Sequence, residues 1–169
     1  MADSARYRVP MRRRREGRTD YRRRLALLKS RKPRVVVRRT LTNVRVQVVE
    51  FTPAGDKVLA SADGRELAKL GLQGASGKSL PAAYLAGVLA GQRAKQAGVT
   101  EAVLDLGRQQ PKAGGKLFAA LKGVVDAGVK VPHGKDVLPD EARLKGEHIE
   151  GLEAGKVEAV KQRILGGGA

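Results

Sequence analysis

Positive charge on this chain is concentrated in its first 39 residues. They hold 16 Lys and Arg, 14 of them Arg, against three acids, Asp3, Glu16 and Asp20, a net +13. The other 130 residues hold 18 basic against 14 acidic side chains, so most of the net +17 sits in the first quarter of the chain. Fixed charge this dense repels itself until a polyanion neutralises it and releases condensed counterions. The choice of Arg is informative. A guanidinium is a planar fork that bonds phosphate through two N–H groups and stacks on bases, whereas an ammonium is a point charge. Beyond residue 39 the preference reverses to 12 Lys against 6 Arg, as ordinary solubility requires.

Composition removes several classes. There is no cysteine, which excludes a disulfide framework and a Cys-based zinc site and suits a reducing cytosol. No apolar run approaches the ~20 residues of a membrane span. The arm has no apolar segment behind its charges, so it is not expected to be a secretory signal, and its three acids and scarce Ser argue against a transit peptide. With no Trp and few other aromatics, the core is expected to be built from Val, Leu and Ala. The same shortage argues against single-strand readers that stack bases on exposed rings.

Residues 1–18 show no apolar period and are expected to be an extended arm, ordered on binding. Thr19 is placed to cap a short helix reaching about residue 29, with Tyr21, Leu25 and Leu28 on its docking face and Arg22, Arg23 and Arg24 fanned over the others. Pro33 ends it. Three strand-like runs follow, RVVVRR at 34–39, NVRVQVVEF at 43–51 and KVLASA at 57–62, joined by turn-forming links. They predict an antiparallel meander. One or two helical turns are expected within 65–72. A long helix is expected from a Ser79 cap, with Pro81 in its first turn and Gly98 past its end. Its small residues, Gly87 and Gly91 among them, would let it lie close to a sheet. AVLDL at 102–106 reads as a buried strand, 115–127 as a helix, and 129–131 as a last strand before Pro132. The fold class is therefore α/β with a mixed sheet: a three-strand meander, then helix–strand–helix–strand, preceded by a basic arm and followed by a helical tail. The expected division is an RNA-binding arm at 1–32, a core at 33–132 and a tail at 133–169 with short helices near 139–146 and 152–165.

Few chemistry-bearing motifs occur in the chain. GLQGASGKS at 71–79 invites a phosphate-loop reading, but the pattern requires Gly where Leu72 stands, and no buried strand precedes it. A flexible loop ending in a helix cap, or Lys78 and loop amides on RNA phosphate, are the alternatives. His133 and His148 share no motif with each other or with any cysteine. Asp105 and Asp126 are single carboxylates with no partner for acid–base work. No catalytic residue, metal or cofactor is expected.

Three stretches, RRRREGRTDYRRRLALLKSRKPRVVVRR (12–39), AVLDLGRQQPKAGGKLFAALKGVVDAGVKVPHG (102–134) and LPDEARLKGEHI (138–149), resemble the archaeal and eukaryotic branch of the large-subunit ribosomal protein L-eighteen family, which binds 5S ribosomal RNA. The resemblance spans nearly the whole chain. It implies a non-catalytic cytoplasmic protein of the central protuberance, touching 5S rRNA, large-subunit rRNA and the neighbouring L-five protein, as a single copy and away from membranes. By matching positions it implies RNA contacts from Arg12, Arg13, Arg14, Arg15, Arg18, Thr19, Asp20, Tyr21, Arg22, Arg23 and Arg24, and from Arg38, Arg39 and Asn43. Arg6 and Arg8 in the arm, and Lys78 at the helix start, complete the expected set. A nucleotide-dependent enzyme built on the 71–79 loop and a DNA-compacting basic protein are the rival readings at this point.

Overall fold

The valines of RVVVRR decide the architecture, because alternation along a strand sends Val35 and Val37 to one face and Arg34, Val36 and Arg38 to the other. In the computed structural model, which describes residues 4, 6–153 and 155–166, this run is strand β1 (Arg34–Arg39). It lies between β2 (Val44–Thr52), antiparallel, and β4 (Val103–Asp105), parallel; β3 (Gly55–Asp63) pairs antiparallel with β2 at the outer edge, so the order is β3-β2-β1-β4. The meander and the mixed α/β sheet are as the sequence predicts. A register shift after Val48 pairs Val48 with Ala60 and Val49 with Val58, leaving Leu59 unpaired. This bulge turns Ala60 and Ala62 inward while Val49 and Val58 share the opposite face.

Val35, Val37, Val44, Val46, Val48, Ala60 and Ala62 form the inner sheet face, and all are buried. Helix α4 (Leu80–Gln96) packs on it and is itself buried along most of its length. Ser79 caps it by accepting from the Ala82 N–H at 3.2 Å, and Pro81 occupies the first turn, as expected. Its glycines face another neighbour than predicted. A Cβ on Gly87 would collide with the Ala120 carbonyl, and one on Gly123 with the Tyr84 carbonyl. The small-residue seam therefore serves the crossing of α4 with α5 (Lys116–Asp126), where two backbones come closest, rather than the contact with the sheet.

The run 129–131 does not form the expected last strand. It makes a single parallel bridge, Glu101 to Lys130, with Ala102 donating to the Lys130 carbonyl at 2.9 Å. Pro132, with no N–H, cannot extend the ladder. Val129 and Val131 are buried all the same. A short helix, α3 (Glu66–Lys69), links β3 to the 71–79 loop. After a 3₁₀ turn at Lys135–Val137 come α6 (Glu141–Lys145) and α7 (Lys156–Leu165), which lie against α4 through Leu144, Val157, Val160 and Ile164. Among the described residues no helix is long and apolar enough to cross a membrane.

Candidate nucleic-acid interface

Helices α4 and α5 pack on the inner face of the sheet. The other face, carrying Arg34, Val36, Arg38, Gln47, Val49 and Val58, is bordered among the described residues by the N-terminal arm and the 106–109 loop. The arm is not wholly extended. Arg12–Arg15 form one helical turn, α1, which Gly17 closes at φ +64°; Glu16 lies between Arg12 at 3.7 Å and Arg18 at 3.0 Å. One carboxylate between two guanidiniums relieves the repulsion that the extended reading assumed would keep this stretch open.

Helix α2 spans Tyr21–Leu28 and its cap is Asp20, not Thr19. The Asp20 carboxylate accepts from the Arg22 and Arg23 N–H groups at 3.0 and 3.1 Å, and those backbone bonds, Arg23 first, hold its pKa below the ordinary value. A carboxylate satisfies these donors and the positive helix end better than a hydroxyl can. Thr19 instead accepts from Arg13 Nε at 2.9 Å, tying α1 to the start of α2. The expected docking stripe is also displaced: Leu25 is 58% exposed, and the helix turns Arg24 and Leu27 toward the sheet.

An ion lattice sets that rotation. Arg24 Nη2 donates to both oxygens of Asp56 at 2.8 and 2.9 Å. Asp56, at the start of β3, also accepts from Arg34 Nη2 at 2.8 Å. Arg34 Nη1 continues to Asp105 Oδ2 at 2.6 Å, and Arg38 reaches the Asp105 carbonyl at 2.8 Å and Oδ1 at 3.2 Å. The Gly107 N–H donates to the same Oδ1 at 2.8 Å. Burial pushes the Asp105 carboxyl up, but Arg38, Arg34 and the Gly107 amide outweigh it and hold the pKa below the ordinary carboxylate value. The arm is thereby bolted over the open sheet face. Between them lies a cleft of about 750 Å³ walled by Arg13, Arg18, Arg23 and Arg24 on the arm, Arg34 and Arg38 on the sheet, and Arg108.

The expected contact residues fall into three groups. Arg6, Arg8, Arg14, Arg15, Arg22 and Arg39 are exposed and, among the described residues, have no carboxylate within ion-pair reach. Arg12, Arg13, Arg18 and Arg23 are exposed but lightly tethered to Glu16, Thr19 or Asp20, while Tyr21 is half-buried. Arg24 and Arg38 are engaged in the lattice, and Asn43 is only 5% exposed. Its amide donates to Asp63, and its carbonyl oxygen faces Gly64 and Gly77, wedging the β1–β2 turn against the 71–79 loop. That loop follows α3 rather than a buried strand, and Lys78 projects from it, exposed, beside the start of α5. No local motif marks Arg34, Asp56 or Arg108. The alternation that puts Arg34 and Arg38 on one face was the available signal, but nothing local pairs them with Asp56.

The remaining titratable residues form no catalytic set. His133 Nδ1 is 2.7 Å from the Val131 carbonyl, and Asp126 accepts from the Tyr84 hydroxyl at 2.8 Å. Among the described residues no three His, Cys, Asp or Glu gather as a metal site. The fold and the cleft define a small α/β scaffold that carries a strongly basic, arginine-rich arm.

The chain belongs to the family described as ribosomal large subunit proteins 60S L5 and 50S L18, whose pattern matches residues 5–99. It is 61% identical over 149 residues to the large ribosomal subunit protein uL18 of Korarchaeum cryptofilum, covering 88% of this chain and 76% of the relative. It is 54% identical over the same length to uL18 of Haloarcula marismortui, covering 88% and 79%. It is accordingly a structural protein of the large ribosomal subunit, acting in cytoplasmic translation, and not an enzyme.

Proposed function

We propose that the chain binds 5S rRNA chiefly through its arginine arm, and helps attach that RNA to large-subunit rRNA in the central protuberance, beside a ribosomal protein of the L-five family. The observation that carries the reading is the Arg24–Asp56–Arg34 bridge, which holds a strongly basic arm in one orientation over an uncovered, arginine-lined sheet face. A charged tail serving only to condense DNA needs no such mount. The expected contacts are the exposed arm residues Arg6, Arg8, Arg12–Arg15, Arg18, Arg22 and Arg23, with Arg39 and Lys78 on the body. Each would neutralise one phosphate, while the arm's geometry sets the register.

Salt titration of binding tests this. The full chain is expected to bind 5S RNA more tightly than duplex DNA of equal length, with log K falling about 0.7–0.9 per phosphate contacted against log salt. Deletion of residues 1–24 is expected to flatten that slope sharply. An unchanged slope in the truncated chain would remove the arm from the interface, and equal affinity for duplex DNA would favour the compaction reading.

A further inference from the structure

A second cleft, of about 440 Å³, opens where α4 and α5 begin, on the side of the sheet away from the arm. Its walls carry Arg39 from the end of β1, Lys112 and Lys116 flanking the start of α5, and Arg143 from α6, and Lys78 stands next to it. A Cβ placed on Gly114 would lie 3.9 Å from Arg143 Nη1, so that guanidinium hangs over the glycine turn. No Asp or Glu lines the cleft, and none of these five cations has a carboxylate within ion-pair reach among the described residues. The contrast with the first cleft is decisive. There Asp20, Asp56 and Asp105 compensate the guanidiniums internally; here the positive charge stands unbalanced in a concave site.

We propose that this cleft is a second phosphate site, which takes the sugar–phosphate backbone of an RNA strand passing the end of β1. The inference rests on the RNA-binding reading above and adds a contact that the arm cannot supply. Two further features agree with it. The first turn of α5 has no side-chain cap, so its N–H groups and the positive end of the helix border the same cavity. Burial, together with the like charges of Arg39 and Lys78, pushes the Lys116 ammonium pKa below its ordinary value, a repulsion that a bound anion relieves. No Phe, Tyr or Trp lines the cleft, so it grips phosphate rather than stacking bases.

The position explains why a polymer fits better than a small anion. Arg38 and Arg39 are successive residues of β1 and point to opposite faces, one to each cleft. The ridge between the clefts is fixed by Gln109, which accepts from the Arg39 N–H at 3.1 Å and donates to the Arg39 carbonyl at 2.7 Å. One RNA laid over that ridge meets both cationic surfaces.

The test compares the full chain with the double variant Lys116→Gln, Arg143→Gln, which leaves the arm intact, in salt titrations with 5S RNA. The variant is expected to lose roughly 1.5 units of the log–log slope for two phosphate contacts, and Lys116→Arg with Arg143→Lys to restore it. An unchanged slope, with wild-type binding intact, overturns the second site and leaves the arm reading standing. Loss of 5S preference by the wild type overturns both. Should the double variant fold poorly by circular dichroism, Lys112→Gln on the exposed loop is expected to lose about half as much slope. Titration with inorganic phosphate separates the sources: saturation of the 114–116 amides by phosphate alone, with the RNA slope unmoved, marks a small-anion site and defeats the proposal.

Discussion

Arg34 and Asp105, 71 positions apart in sequence, meet at 2.6 Å with side chains only 3% and 8% exposed, across the parallel pair of β1 and β4. This contact joins the arm's anchor to the far half of the chain. Asp56 extends it to Arg24, and Arg38 closes it on the other side. The arm's arginines are therefore held by a lattice whose acids come from two separate strands.

Asp105→Asn should be strongly destabilising. It removes one of the two carboxylates that hold buried Arg34 and the one beside half-buried Arg38; because Asp56 still compensates Arg34, the cost is expected at about 2–3 kcal/mol, at or below the low end for a fully orphaned buried ion. Urea unfolding at neutral pH measures it, and a loss below about 1 kcal/mol would show that the lattice is stabilised elsewhere.

The same carboxyl makes a signed pH prediction. Its pKa in the folded chain lies below the ordinary 3.8, so its contribution is complete above that value and fades as pH falls toward the folded pKa. The stability gap between wild type and Asp105→Asn should hold from pH 7 to about 5 and narrow at pH 3. Urea midpoints of the two proteins at each pH decide the matter; a gap that widens in acid contradicts the assignment.

Asp56→Ala should weaken RNA binding although it makes the protein more basic. Bulk electrostatics alone predicts tighter binding. Loss of the Arg24 and Arg34 partners instead frees the arm, and re-ordering it on RNA costs on the order of tenfold in affinity. Filter binding at fixed salt gives the sign, and faster tryptic cleavage after arm arginines should accompany it.

Gly87→Ala should lower stability by about 1–3 kcal/mol, because the added methyl meets the Ala120 carbonyl and the two backbones must separate. Gly98→Ala has open space around it, and its cost comes only from the left-handed backbone, φ +79°, at about 1–2 kcal/mol. Thermal melts of both should be accompanied by altered α4–α5 amide shifts in the first alone.

Much of this was legible in the residues because it depends on local periodicity. Val44, Val46 and Val48 alternate with Arg45 and Gln47, so β2 and its buried face follow from side-chain geometry alone. Ser79 and Pro81 mark the start of α4 for reasons that lie within four residues. The misreadings have different causes. Asp20 rather than Thr19 caps α2 because its carboxylate accepts from two N–H groups of the first turn, whereas Leu25 points outward because Asp56, a residue 32 positions beyond Arg24, draws Arg24 toward the sheet. Likewise Gly87 and Gly91 mark a close approach without saying whether a sheet or a helix comes near.

The residues alone determined that positive charge is concentrated in a guanidinium-rich leader and that the valine-rich runs after it form a sheet with one buried face. Those conclusions follow from charge density and apolar period, which need no partner distant in sequence. Only the tertiary structure decided which arginines stay available, since that depends on whether folding brings a carboxylate beside them. It brought Asp56 to Arg24 and Asp105 to Arg38 and, among the described residues, no carboxylate to Arg39, so two adjacent arginines of equal charge ended as an anchor and an uncompensated side chain.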